Sequence, residues 1–150
     1  MAHLITASEV ITIAFIGEEK ISSDKIKDVS IDIAEKEFII PHIGQDLYDA
    51  LILGSYTELA TLLEKPLAFY VRFLILPEIA VSVANMGLMQ SINDYSRPVS
   101  SAMQNTLLQR TLKNAETLMD TVVKYIQDNY ELYPEYIYKR HHKIIGGIIL

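Results

Sequence analysis

Four histidines, His3, His42, His141 and His142, are the first residues of this chain whose type suggests chemistry. A zinc site on a helix needs two histidines at i, i+3 or i+4 with a carboxylate beside them. None of the four has that spacing, so they read as surface or packing residues. Asp24, Asp28, Asp32 and Glu35 recur at helical spacing and would share one face of a helix. Such a stripe is a solvated face, a cation site or the lining of a channel. The ligand order and glycine of an EF-hand are absent, which argues against calcium. Arg72 and Glu78 are six residues apart, too far round a helix to lie side by side as a catalytic pair; each is expected to find partners on neighbouring elements. There is no cysteine, hence no disulfide and no thiolate chemistry. No glycine-rich phosphate loop and no nucleophile elbow is present. The expectation is a protein that is not an enzyme, with no catalytic, cofactor-binding or metal-ligating residue and no cofactor.

The sharpest signal lies at the C-terminal end. Tyr130, Tyr133, Tyr136 and Tyr138 cluster around Pro134, followed by the basic run Lys139-Arg-His-His-Lys143 and then Ile144-Ile-Gly-Gly-Ile-Ile-Leu150. The tyrosines suit packing at a helix end or a protein interface better than base stacking, because no basic residue is interleaved with them before Lys139. Ile144, Ile145, Ile148 and Ile149 are β-prone, and Leu150 is apolar. A segment of this kind either folds back on its own domain or adds a strand to the sheet edge of another chain. The basic run separates it from the core and would help to dock an acidic partner. Lys139, Arg140, Lys143, Ile144, Ile145, Ile148, Ile149 and Leu150 are therefore the candidate partner-binding residues.

The elements that would carry these residues follow from hydrophobic spacing. Leu67 to Met89 is apolar almost all round, with a thin polar seam of Glu78, Ser82 and Asn85. A helix of that composition is buried on most sides, so it is expected at the centre of an all-α fold: a small helical bundle with an extended C-terminal tail. Thr6-Ala-Ser-Glu9 has capping-box spacing and opens a short helix ending near Gly17. A second helix is expected from Asp24 to about Ile40, stopping before Pro41, with Val29 and Ile33 on its apolar arc. Short helices follow over Gln45 to Leu53 and Thr57 to Lys65, and Pro66 suits the first position of the central one. Ser101-Ala-Met-Gln104 opens a long last helix to about Tyr130. In it Leu108, Leu112, Ala115, Met119, Val122 and Ile126 form a seam suited to near-antiparallel packing. The boundary between body and tail is placed near Pro134, giving a helical domain over 1–133 and a tail over 134–150.

With 150 residues, half of them apolar, the chain is long enough for one domain with a real core. The net charge of −6 is uneven. Residues 1–64 hold twelve acids against four bases, and residues 65–150 seven acids against nine bases. An acidic body argues against tight nucleic-acid binding but not against a surface that nucleic acid slides past. Arg72, Pro77 and Glu78 interrupt the longest apolar stretch, so no membrane span is expected. The N-terminus lacks the layout of a secretion signal, and a cytosolic origin is the default.

The pattern Ile33-Ala-Glu-Lys-Glu-Phe-Ile-Ile-Pro41 followed by Ile43-Gly-Gln-Asp-Leu-Tyr-Asp-Ala-Leu51 resembles the N-terminal part of head–tail connector proteins of tailed bacteriophages. The hydrophobic helix from Leu67, the Ser96-Arg-Pro-Val-Ser100 loop and the long last helix continue the likeness, which is greatest to the neck ring proteins of crAss-like phages. The resemblance implies an adaptor in the virion neck, made in the host bacterial cytoplasm. It would form a homo-oligomeric ring, typically twelve-fold, beneath the portal protein and against other neck and tail ring proteins. DNA would pass through the ring without sequence-specific binding, and the tail would reach into the portal. The acidic stripe, Asp24, Asp28, Asp32 and Glu35, then becomes a candidate channel lining, since carboxylates repel phosphates. The reading from another class is a small helical module, monomeric or dimeric, that binds and regulates another protein; a small helical enzyme is the weakest alternative.

Overall fold

The computed structural model describes residues 2–15, 21–90 and 101–136, together with the pairs Ile144–Ile145 and Ile148–Ile149. The fold is all-α. Helices α1 (Ala7–Ala14), α2 (Asp28–Ala34), α3 (Ile40–Ile43), α4 (Gln45–Ile52), α5 (Thr57–Gln90) and α6 (Ser101–Asp128) follow in order. A π-helical turn, Glu35–Ile39, joins α2 to α3, and 3₁₀ turns cover Ser23–Lys25 and Tyr130–Leu132.

Helix α5 is the element the others share: α1, α2, the π turn, α4 and α6 all pack on it. Leu59, Leu63, Leu67, Ala68, Tyr70, Val71 and Ile75 are buried along it, each large side chain removing apolar surface worth about 1.5–3 kcal/mol. It also runs straight through Pro66, which had been expected to begin a new helix. A proline inside a helix forfeits one backbone hydrogen bond. Here Leu59 and Leu63 before it and Leu67 and Ala68 after it bury into the same core, so tertiary packing holds one rod where local propensity favours two.

The seam on α6 forms as its spacing predicts. Leu108 and Leu112 are half-buried, and Ala115, Met119, Val122 and Ile126 are buried. Helix α6 runs back along α5: Phe69 and Arg72 share a cleft with Leu107, Arg110, Thr111 and Asn114. At the other end Tyr56, just before α5, meets Tyr133, just after α6, with ring centroids 5.0 Å apart.

Helix α1 starts at the expected capping box. The Thr6 hydroxyl accepts from the Glu9 N–H at 3.3 Å, and the Glu9 carboxylate accepts from the Thr6 N–H at 2.8 Å. The helix ends at Ala14, and Gly17 lies outside the described residues. Arg72 reaches across from α5 to close that end: its guanidinium donates to the Ala14 carbonyl at 2.9 Å and sits 4.7 Å from the centre of the Phe15 ring. A cation at a helix C-terminus meets unsatisfied carbonyls and the negative end of the dipole.

The second helix departs most from expectation. It begins at Asp28, because Ser23–Lys25 closes its own 3₁₀ turn. It then continues past Pro41 to Ile43. In regular α geometry the Pro41 ring would crowd the carbonyl of Glu37; the wider π turn just before it relieves that contact. Gly44, at φ +90°, turns the chain into α4. Ile31, Ala34, Ile39 and Ile43 are buried, whereas Val29 and Ile33, expected on the apolar arc, are 57% and 39% exposed.

After α6 the chain folds back on the body. Tyr133 and Tyr136 are buried and belong to the core, so the body extends at least three residues past 133. Tyr133 donates to the Tyr125 hydroxyl at 3.2 Å, and Tyr56 donates to Glu135 at 2.8 Å. Tyr56 holds φ +55°, a conformation that costs a side-chain-bearing residue about 1–2 kcal/mol; its hydrogen bond and ring contact offset that cost. Ile144–Ile145 pairs antiparallel with Ile148–Ile149, with Ile144 opposite Ile149 and Ile145 opposite Ile148.

Candidate functional site

Glu35 is the most unusual residue of the body, a carboxylate with no exposed surface. It opens the π turn, a distortion found disproportionately at functional sites. An ionised carboxylate leaves water only where hydrogen bonds replace its hydration. Three such bonds are present. The Leu4 N–H donates to Oε1 at 2.7 Å, the Tyr48 hydroxyl donates to Oε2 at 2.7 Å, and His3 Nδ1 lies 3.0 Å from Oε2. Three segments supply these groups: the N-terminal arm, the π turn and α4. Burial pushes the Tyr48 phenol well above its ordinary value, and its hydrogen bond to Glu35 adds to the rise.

Asp32 lies one turn before Glu35, on α2, and pairs with Lys36 at 2.9 Å. The candidate ligand atoms of His3, Asp32 and Glu35 all lie within 4.8 Å of one another. Local spacing favours surface or packing roles for the histidines and does not report this grouping, because the neighbours of His3 are about thirty residues away in sequence. The readable signal was Glu35 itself, four residues from both Ile31 and Ile39, which are buried.

The acidic stripe does not survive as one face. Asp24 is in the 3₁₀ turn, not on α2; the Ser22 hydroxyl donates to it, and this bond with a backbone N–H holds its carboxyl below the usual range. Asp28 is exposed in the first turn of α2, and Asp32 is half-buried. Glu35 is inside, so it cannot line a channel. What covers it is the arm of His3 and Leu4, a tertiary contact that helical periodicity does not report.

Of the residues assigned to partner binding, Ile144, Ile145, Ile148 and Ile149 have strand backbone. Lys139, Arg140, Lys143 and Leu150 lie outside the described residues, as do His141, His142 and Tyr138. Arg72 and Glu78 are not brought together as a site: Arg72 is buried against α1, and Glu78 is exposed. His42 is spent locally, its ring bonded to the Phe38 carbonyl. Among the described residues no helix is long and apolar enough to cross a membrane.

Residues 21–144 match the family of unknown function DUF6712, and the chain belongs to that family. No curated protein matches the chain, and no solved structure does.

Proposed function

We propose that this protein is a structural component of a phage virion neck, a head–tail connector that forms a ring beneath the portal and extends the DNA channel. The observation that carries the reading is the C-terminal segment. A basic run precedes two isoleucine pairs that take strand backbone, on a chain whose described body is helical. Among the described residues those two pairs have only each other as strand partners. Two strands of two residues are marginal alone, and the edge of a partner's sheet offers them longer ladders. Docking into the portal through Lys139, Arg140, Lys143, Ile144, Ile145, Ile148, Ile149 and Leu150 would supply that edge. The sequence likeness to connector proteins over Ile33–Leu51 supports the same role, which is non-enzymatic.

In this reading the acidic N-terminal half faces DNA without holding it. Asp28 and Asp24, both exposed, are its lumen candidates. The test is immunogold labelling of purified virions. Label confined to the junction of head and tail is expected. Absence of the protein from virions would overturn the reading and favour a helical regulatory module.

A further inference from the structure

We propose that His3, Asp32 and Glu35 form a binding site for one divalent transition-metal ion, with Zn²⁺ as the best-fitting ion. The ligand set is one imidazole nitrogen and two carboxylates, a combination that suits Zn²⁺ and its first-row neighbours better than Mg²⁺ or Ca²⁺. Zinc bonds of about 2.0–2.2 Å in a tetrahedron set ligand atoms roughly 3.3 Å apart. His3 Nδ1 and Glu35 Oε2 already stand 3.0 Å apart. An ion placed between these two atoms would replace their hydrogen bond with two metal–ligand bonds.

The surroundings are those of a held ligand. Glu35 is fixed from the other side by the Leu4 N–H on Oε1 and the Tyr48 hydroxyl on Oε2, and such outer hydrogen bonds orient a metal-binding carboxylate. His3 sits on the N-terminal arm, outside any helix. Asp32 is on the same helical face one turn away. Its partner Lys36 is 61% exposed and can swing into water when Asp32 turns to the ion. Three protein ligands leave a fourth position for water. The bound ion ties the N-terminal arm to α2 and the π turn.

The experiment uses the full-length chain freed of metal and titrated with Zn²⁺ by calorimetry and thermal melting, with Co²⁺ as a coloured substitute. One ion per chain is expected. Thermal stability should rise by roughly 5–10 °C at an ion concentration one hundred times Kd. Co²⁺ should give the intense visible bands of a four-coordinate site. His3→Ala and Asp32→Asn each lower the affinity tenfold or more and remove the cobalt bands, while a variant with His141→Ala and His142→Ala retains both. Both ligand variants lie at the edge of the fold, so they remain folded if Glu35→Gln does not. The inference is overturned if Zn²⁺ does not bind, if binding survives His3→Ala and Asp32→Asn, or if Mg²⁺ and Ca²⁺ stabilise the protein as much as Zn²⁺ does.

Discussion

At the scale of single residues, the buried side-chain polar groups among the described residues divide into those with partners and one without. Glu35 has three, and removing its carboxylate takes that partner from the Leu4 N–H and the Tyr48 hydroxyl, both part-buried, and empties a fully buried site. Glu35→Ala should therefore cost about 2–5 kcal/mol in urea unfolding, whereas Asp28→Ala, at the surface, should change stability by less than about 0.5 kcal/mol. The Tyr70 hydroxyl is the opposite case: buried, and without a hydrogen-bond partner among the described residues. Its ring stacks on Phe38 at 4.3 Å, so the apolar part of Tyr70 carries its value to the core. Tyr70→Phe keeps that stacking and removes the unsatisfied group, so it should leave stability unchanged or raise it by up to about 1 kcal/mol.

Burial is the first cause that raises the phenols of Tyr48, Tyr70 and Tyr133 above their ordinary value, and nearby acids or hydrogen bonds add to it. In the unfolded chain these phenols ionise near pH 10. Above that pH the folded state holds more protons than the unfolded one, so stability falls as pH rises. Absorbance titration of the tyrosines should show some ionising at ordinary pH and the rest only as the protein unfolds. Nine tyrosines titrating together in the folded protein would contradict the packing described for these three.

At the scale of elements, the α5–α6 pairing supplies the core on which the other helices rest. Met119 is fully buried in the seam, and Met119→Ala should cost about 2–5 kcal/mol by lost burial and the cavity left behind. Gly44 turns α3 into α4 at φ +90°, with open space where a side chain would go. At φ +90° and ψ 156° Gly44 occupies backbone space essentially reserved for glycine, so Gly44→Ala should cost about 1–3 kcal/mol of backbone strain in the same assay. Much of this architecture was legible. The capping box at Thr6, the central apolar rod and the seam on α6 each follow from local spacing, because burial there repeats with the helix. The errors lie where tertiary contact overrides local preference. Pro66 and Pro41 were read as boundaries, yet helices pass through both because packing on either side outweighs one lost hydrogen bond. Glu35 was placed with surface acids because its cover comes from a segment about thirty residues away. Val29 and Ile33 were placed inside, yet they remain exposed on α2.

At the scale of the whole molecule, an acidic helical body carries a basic, strand-forming end. Charge divides along the chain: the surplus of acids is in residues 1–64, and residues 139–143 hold three bases and no acid. The proposed connector role would use this division, with the body letting DNA pass and the end holding a neighbouring ring. In the free protein, trypsin should cut first after Lys139, Arg140 and Lys143 and leave a stable body. Bound portal should protect those sites. The measurement that bears most directly on the role is sedimentation of the full-length chain, and of a chain ending at Tyr136, each mixed with purified portal rings. The expected result is that the full-length chain joins the portal peak in a ratio of one to one with portal subunits, and the shortened chain stays behind although it remains folded. Full-length protein that sediments apart from the portal, or a shortened chain that binds equally well, would contradict docking through the C-terminal segment.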